Sequence, residues 1–82
     1  MEGEKFFGIE SRESIIDKLI EGLAIKEGMD TDFVFADIIQ FAPFEGNESV
    51  NLEYLAEMAE KLGITVEEMH LYAINKALGE QR

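Results

Sequence analysis

The sequence contains no cysteine, one histidine and one proline among its 82 residues. Without cysteine the chain has no disulfide framework, no thiolate metal site and no cysteine nucleophile, so its stability must come from packing or oligomerisation. No apolar run approaches the roughly 20 residues that span a bilayer. The first residues, 1–5, also lack the basic and apolar regions of a secretory signal. We therefore expect a cytoplasmic protein that does not contact membranes.

Basic side chains are scarce as well. Seven Lys and Arg residues face 18 Asp and Glu residues, so the net charge is −11. A field of this sign repels nucleic-acid phosphates and anionic membranes, and it attracts basic surfaces. We expect no direct nucleic-acid binding and a protein partner with a basic surface. The alternative interpretation is that the acidic composition only serves solubility.

The remaining composition is typical of one folded domain. Hydrophobic residues make up 46% of the chain and include six phenylalanines, which is more than disordered segments contain. We find no internal repeat and no second domain. The sequence therefore predicts a single acidic helical domain over 1–82, with an arm at 1–10 and its main loop at 43–50.

Helical spacing of apolar residues predicts an all-α, four-helix domain that follows the N-terminal arm. The predicted helices cover 12–27, 32–42, 52–62 and 66–78. Their predicted N-caps are Ser11, Thr31, Asn51 and Thr65, and their predicted stops are Gly28, Pro43, Gly63 and Gly79. Thr65 and Glu68 have the spacing of a capping box. Because the central segment is rich in β-formers, an α+β domain with strands at 5–9 and 33–41 is the alternative.

The middle of the chain carries most of the negative charge. Nine acids and no Lys or Arg lie between residues 27 and 60, which accounts for −9 of the total −11. Glu53, Glu57 and Glu60 follow the spacing i, i+4, i+7 and are expected to share one helical face. Lys61 is placed to relieve only Glu57. The acids of the tract are Glu27, Asp30, Asp32, Asp37, Glu45, Glu48, Glu53, Glu57 and Glu60.

Apolar anchors surrounded by acids are typical of a protein interface, in which the anchors give affinity and the charges give orientation and rate. We therefore predict a non-catalytic protein–protein interaction module, such as a small regulator, adaptor or accessory subunit. Phe44, in the loop after Pro43, is the predicted apolar anchor, although it could equally belong to the core. The predicted partner-binding residues are Phe44, Glu45, Glu48, Glu53, Glu57 and Glu60.

Two other functions remain as alternatives. The chain could bind calcium weakly through Asp30, Asp32, Glu45 and Glu48, although neither segment has the EF-hand pattern. It could also be a nucleic-acid mimic whose carboxylates block a DNA-binding protein. Apart from this calcium we expect no cofactor, and homodimerisation is left open because so small a chain has an unusually apolar central segment.

Catalysis and DNA reading are not expected. His70 is the only histidine, and its neighbours do not form a recognisable acid–base set. Residues 55–72 resemble a helix-turn-helix motif, with Ala59 and Gly63 at the small-residue positions. The second helix of that motif would bring Glu67 and Glu68 against phosphates, so we interpret the motif as a structural corner.

Overall fold

The computed structural model describes residues 11–80, which form four α-helices and no strand. This confirms the predicted all-α, four-helix domain. The alternative α+β fold is wrong for its second strand, because residues 33–40 are helical. Its first strand, at 5–9, and the arm at 1–10 lie outside the described residues. The helices are Arg12–Glu27 (α1), Thr31–Gln40 (α2), Leu52–Leu62 (α3) and Val66–Glu80 (α4).

Helix α1 has the predicted bounds because both of its ends are capped. The Ser11 side chain accepts a hydrogen bond from the Ser14 N–H at 3.1 Å, which satisfies one of the free donors of the first turn. Gly28 ends the helix in the left-handed conformation, with φ of 69°. One row of the helix is buried in the core: Ile16, Ile20 and Ala24.

Helix α2 differs from its predicted bounds at both ends. Asp30, not Thr31, is the N-cap: its carboxylate accepts a hydrogen bond from the Asp32 N–H at 2.9 Å, so the helix begins at Thr31. The helix ends at Gln40 rather than at residue 42, because Ala42 precedes proline and avoids the α region. The Asn47 side-chain amide donates to the carbonyls of Gln40 and Ala42, at 3.1 and 2.5 Å, and so satisfies the helix end.

Helices α3 and α4 meet at the predicted corner. Gly63 takes a left-handed conformation with φ of 74°, and α4 begins three residues after it with a complete capping box. The Glu68 N–H donates to Thr65 Oγ1 at 3.0 Å, and the Thr65 N–H donates to Glu68 Oε1 at 3.2 Å. The predicted stop at Gly79 is wrong, because α4 continues to Glu80 and glycine also accepts helical dihedral angles.

The core forms where the four helices meet. Helix α1 packs on α2 and α3, and α4 packs on the same two helices. The C-terminal end of α2 is fixed to α3 by an edge-to-face contact between Phe41 and Tyr54, whose ring centroids are 5.0 Å apart. The buried residues are Ile16, Ile20, Ala24, Val34, Ile38, Ala42, Leu55, Met58, Ala59, Leu62, Met69, Tyr72, Ala73 and Ala77.

Two glycines should respond oppositely to alanine. Gly63→Ala is expected to lower the free energy of unfolding by about 1 kcal/mol, because a left-handed conformation costs L-residues about 1–2 kcal/mol. Gly22 lies inside α1, and a Cβ added there meets no atom within 4 Å. Gly22→Ala is therefore expected to raise the free energy of unfolding by about 0.5–1 kcal/mol. Urea unfolding followed by circular dichroism measures the free energy of unfolding of both variants. If Gly63→Ala leaves it unchanged, the left-handed conformation described for Gly63 at the end of α3 is wrong.

Candidate protein-interaction surface

Three glutamates of α3 (Glu53, Glu57 and Glu60) share the side of the helix that faces away from the core, and we call them the acidic stripe. At about 100° per residue they lie within about 60° of one another around the helix axis. All three are exposed. The opposite side of α3 carries its buried residues, which are Leu55, Met58, Ala59 and Leu62. The structure therefore brings these three predicted site residues together on one solvent-facing surface.

The acidic stripe has no basic partner within the described part of the chain. The prediction that Lys61 would relieve Glu57 is wrong, because the ammonium group of Lys61 lies 3.7 Å from the carboxylate of Glu27. This pairing follows from the packing of α1 on α3, which brings the end of α1 to Lys61. Among residues 11–79, Glu27 is the only acid of the nine in the central tract that takes part in an ion pair.

Exposed apolar side chains lie beside the start of the acidic stripe. Leu52, the first residue of α3, is 51% exposed, and Val50 is 39% exposed. Leu52 is adjacent in sequence to Glu53, and Ala56 continues the same edge of the helix one turn later. The α3 surface thus combines carboxylates with a small apolar edge. The sequence argument had named Phe44, not Leu52, as the apolar residue.

Phe44 is half-buried and packs against the core. It lies in the loop between α2 and α3, whose shape depends on Asn47: besides its bonds to the carbonyls of Gln40 and Ala42, Asn47 accepts a hydrogen bond from the Ser49 N–H at 3.0 Å. Glu45 and Glu48 are exposed in the same loop. Phe44 therefore presents only part of its ring to a partner, whereas the two loop carboxylates are fully available.

The weak cation ligands predicted from the sequence lie at opposite ends of α2. Asp30 and Asp32 are at its start, and Glu45 and Glu48 follow its end. A ten-residue helix is about 15 Å long, so the two pairs cannot share one ion, whose ligands lie within about 2.6 Å. The part of the chain that the structure describes contains no group of three or more His, Cys, Asp or Glu that could hold a metal ion.

Asp17 links α1 to α4 through a contact that no sequence pattern indicated. The Tyr72 hydroxyl donates a hydrogen bond to Asp17 Oδ1, and the ammonium group of Lys76 lies 3.3 Å from the same oxygen. Lys76 also pairs with Glu13 at 3.1 Å. Burial and the hydrogen bond to Asp17 raise the pKa of Tyr72 far above its ordinary value. The network therefore joins α1 to α4 through the side chains of Asp17, Tyr72 and Lys76.

Three further titratable groups of the described residues, His70, Tyr54 and Glu68, differ in their surroundings. Nε2 of His70 is buried and has no hydrogen-bond partner among the described residues. Burial, followed by the charge of Asp37, raises the pKa of Tyr54 to about 12. The pKa of Glu68 is lowered by the backbone N–H of Thr65 and by Arg12, whose guanidinium lies 2.6 Å away. That the chain is not an enzyme stays a prediction.

Comparison with protein-family models, with curated proteins and with solved structures finds no match for this chain. None of the described helices is both long and apolar enough to cross a membrane. What the chain does must therefore be inferred from its own surfaces.

Proposed function

We propose that this chain is a non-catalytic protein-interaction module that presents the acidic stripe of α3 to a basic surface of a partner protein. The observation that carries the proposal is the position of Glu53, Glu57 and Glu60, exposed on the side of α3 opposite the core and without a basic partner in the described chain. A small regulator, adaptor or accessory subunit would have this character.

The energetics of the stripe support this role. Like charges spaced at i, i+3 and i, i+4 destabilise a helix by about 0.2–0.5 kcal/mol per pair. A partner that places Lys or Arg against the stripe removes this repulsion and also gains attraction. Such charges mainly set the orientation and rate of association. The exposed apolar residues beside the stripe, Val50 and Leu52, can supply contact area that excludes water.

The test compares two variants with the same net charge. Glu53→Gln/Glu57→Gln neutralises two of the three carboxylates of the stripe. Glu13→Gln/Glu67→Gln neutralises two exposed acids on other helices, and Lys76 keeps Asp17 as its ion-pair partner. Proteins that the immobilised chain retains from an extract of the producing cell are purified and titrated against both variants. The variant with two stripe carboxylates removed is expected to raise the dissociation constant about tenfold, and the control variant is expected to raise it less than about twofold.

Salt and DNA distinguish the alternatives. Binding through the stripe should weaken as salt rises from about 50 to about 300 mM, because screening shortens the reach of exposed charges. A recovered partner that is released by duplex DNA would favour the nucleic-acid mimic instead. If every recovered partner binds the stripe variant and the control variant equally well, the proposed function is wrong.

A further inference from the structure

Helix α2 exposes an apolar strip on the side next to α1 and α4. Phe35 and Ile39, one helical turn apart, line two adjoining shallow grooves with volumes of about 270 and 350 Å³. Both side chains are half-buried and pack against the core. Ala36 is exposed and lines the larger groove beside them. Phe35 and Ile39 therefore form an apolar surface that is held in place by the core. The small side chain of Ala36 leaves space for a partner's side chain to pack against them.

The rim of this strip is acidic. Asp17 and Glu21 of α1 line one groove, and Asp32 of α2 lines the other. Lys76 is the one basic residue on either rim in the described chain, and it is held by Glu13 and Asp17. The acids Asp17, Glu21 and Asp32 outnumber Lys76 on the two rims, so the rim of the strip carries a net negative charge.

We infer that the strip formed by Phe35, Ala36 and Ile39 is a docking site for a basic amphipathic helix of a partner protein. Apolar residues of that helix would cover the strip, and its Lys or Arg side chains would reach Asp17, Glu21 and Asp32. The inference rests on the proposed function for the class of partner, but it uses residues that the acidic stripe does not contain. It adds a second contact surface and specifies the secondary structure of what binds there.

Charge and geometry select this occupant. Nucleic acids and anionic membranes would meet three carboxylates of the same sign, and a second copy of the chain carries a net charge of −11. A peptide that binds as an added β-strand would need a sheet edge, and residues 11–80 contain no strand. A helical partner needs no such edge, because its backbone N–H and C=O groups already bond within the helix. The larger groove extends along α2 from Asp32 to Gln40, about 12 Å, which is enough to contact about two turns of a packed helix.

The test uses a designed peptide as the probe. The peptide has about 18 residues, or about five helical turns, with leucines on one face and lysines elsewhere. One control peptide replaces every lysine by glutamate, and a second scrambles the order so that no apolar face forms. In a titration of the isotope-labelled full chain followed by NMR, the largest shift changes are expected at residues 32–40 and 17–21. Both controls should bind at least about tenfold more weakly.

A matched pair of variants tests whether the peptide binds at the strip on α2. Ala36→Arg adds bulk and positive charge to the strip, and because Ala36 is exposed and arginine favours helices, the fold should be unaffected. Ser49→Arg adds the same charge to the exposed loop after α2. We expect Ala36→Arg to raise the dissociation constant of the leucine–lysine peptide at least about tenfold. Ser49→Arg should change it by less than about twofold, since a remote charge is screened.

The outcomes separate this inference from the proposed function. If Glu53→Gln/Glu57→Gln leaves peptide affinity within about twofold while Ala36→Arg abolishes it, the strip is the docking site whatever the role of the stripe. Shift changes that map to α3, or equal affinity for the scrambled peptide, would overturn the inference. Concentration-dependent dimerisation in sedimentation experiments that Ala36→Arg abolishes would also overturn it, because the occupant would then be a second copy of the chain.

Discussion

Leu55→Ala is expected to lower the free energy of unfolding by about 3 kcal/mol, which is a large fraction of the stability of so small a domain. Leu55 has no exposed surface and lies on the core side of α3, which packs on both α1 and α4. Truncation removes buried apolar surface, and rigid neighbours on several helices prevent the cavity from closing. The melting temperature should fall by about 12–24 °C, given about 4–8 °C per kcal/mol in domains of this size.

Leu52→Ala is the matched control for this prediction. It makes the same change on the same helix, but Leu52 is 51% exposed and so loses little buried area. We expect its effect on the free energy of unfolding to stay below about 1 kcal/mol. Thermal and urea unfolding of both variants measure the difference. Equal destabilisation by the two substitutions would show that the packing of α3 on its neighbours is not as described.

The helices were predictable wherever local signals agreed. α1 and α3 have the predicted bounds because a capping side chain, an apolar row and a left-handed glycine all mark the same segment. α2 was harder because it is rich in β-formers, and its helical state depends on burial of Val34 and Ile38 against other helices. Its N-cap was misplaced by one residue: Asp30 and Thr31 are both capping residues, and the helix is capped by Asp30, whose residue type is the more strongly preferred at this position.

The candidate site was predictable only in its local part. The acidic stripe follows from helical periodicity within α3, and the structure exposes it as expected. The pairing of Lys61 with Glu27 and the groove beside Phe35 were not foreseen, because both depend on which helices become neighbours. Contacts between helices leave no periodic signal in the sequence. A charged side chain such as Lys61 can pair with a residue on its own helix or with a residue that packing brings near, and the sequence does not show which.

The bond between Tyr72 and Asp17 joins residues that lie 55 positions apart, and its loss should have the next largest effect on stability. Asp17→Ala is expected to lower the free energy of unfolding by about 2 kcal/mol, because hydrogen bonds to charged groups contribute about 1.5–3 kcal/mol. Tyr72 is only 3% exposed, so its hydroxyl would lose its acceptor with little access to water. The accompanying loss of the Lys76 ion pair should matter less, because both side chains are partly exposed.

Glu21→Ala is the control for the loss of negative charge, since Glu21 lies one turn after Asp17 on α1, is exposed and influences Tyr72 only through its charge. Its effect should stay within about 0.5 kcal/mol. A double-mutant cycle with Tyr72→Phe then isolates the hydrogen bond: once the hydroxyl is gone, Asp17→Ala should be less destabilising by about 1–2 kcal/mol. Additive effects of the two substitutions would contradict the contact between Asp17 and Tyr72. A coupling of the expected size would show that this bond helps to hold α1 against α4, the two helices that flank the strip on α2.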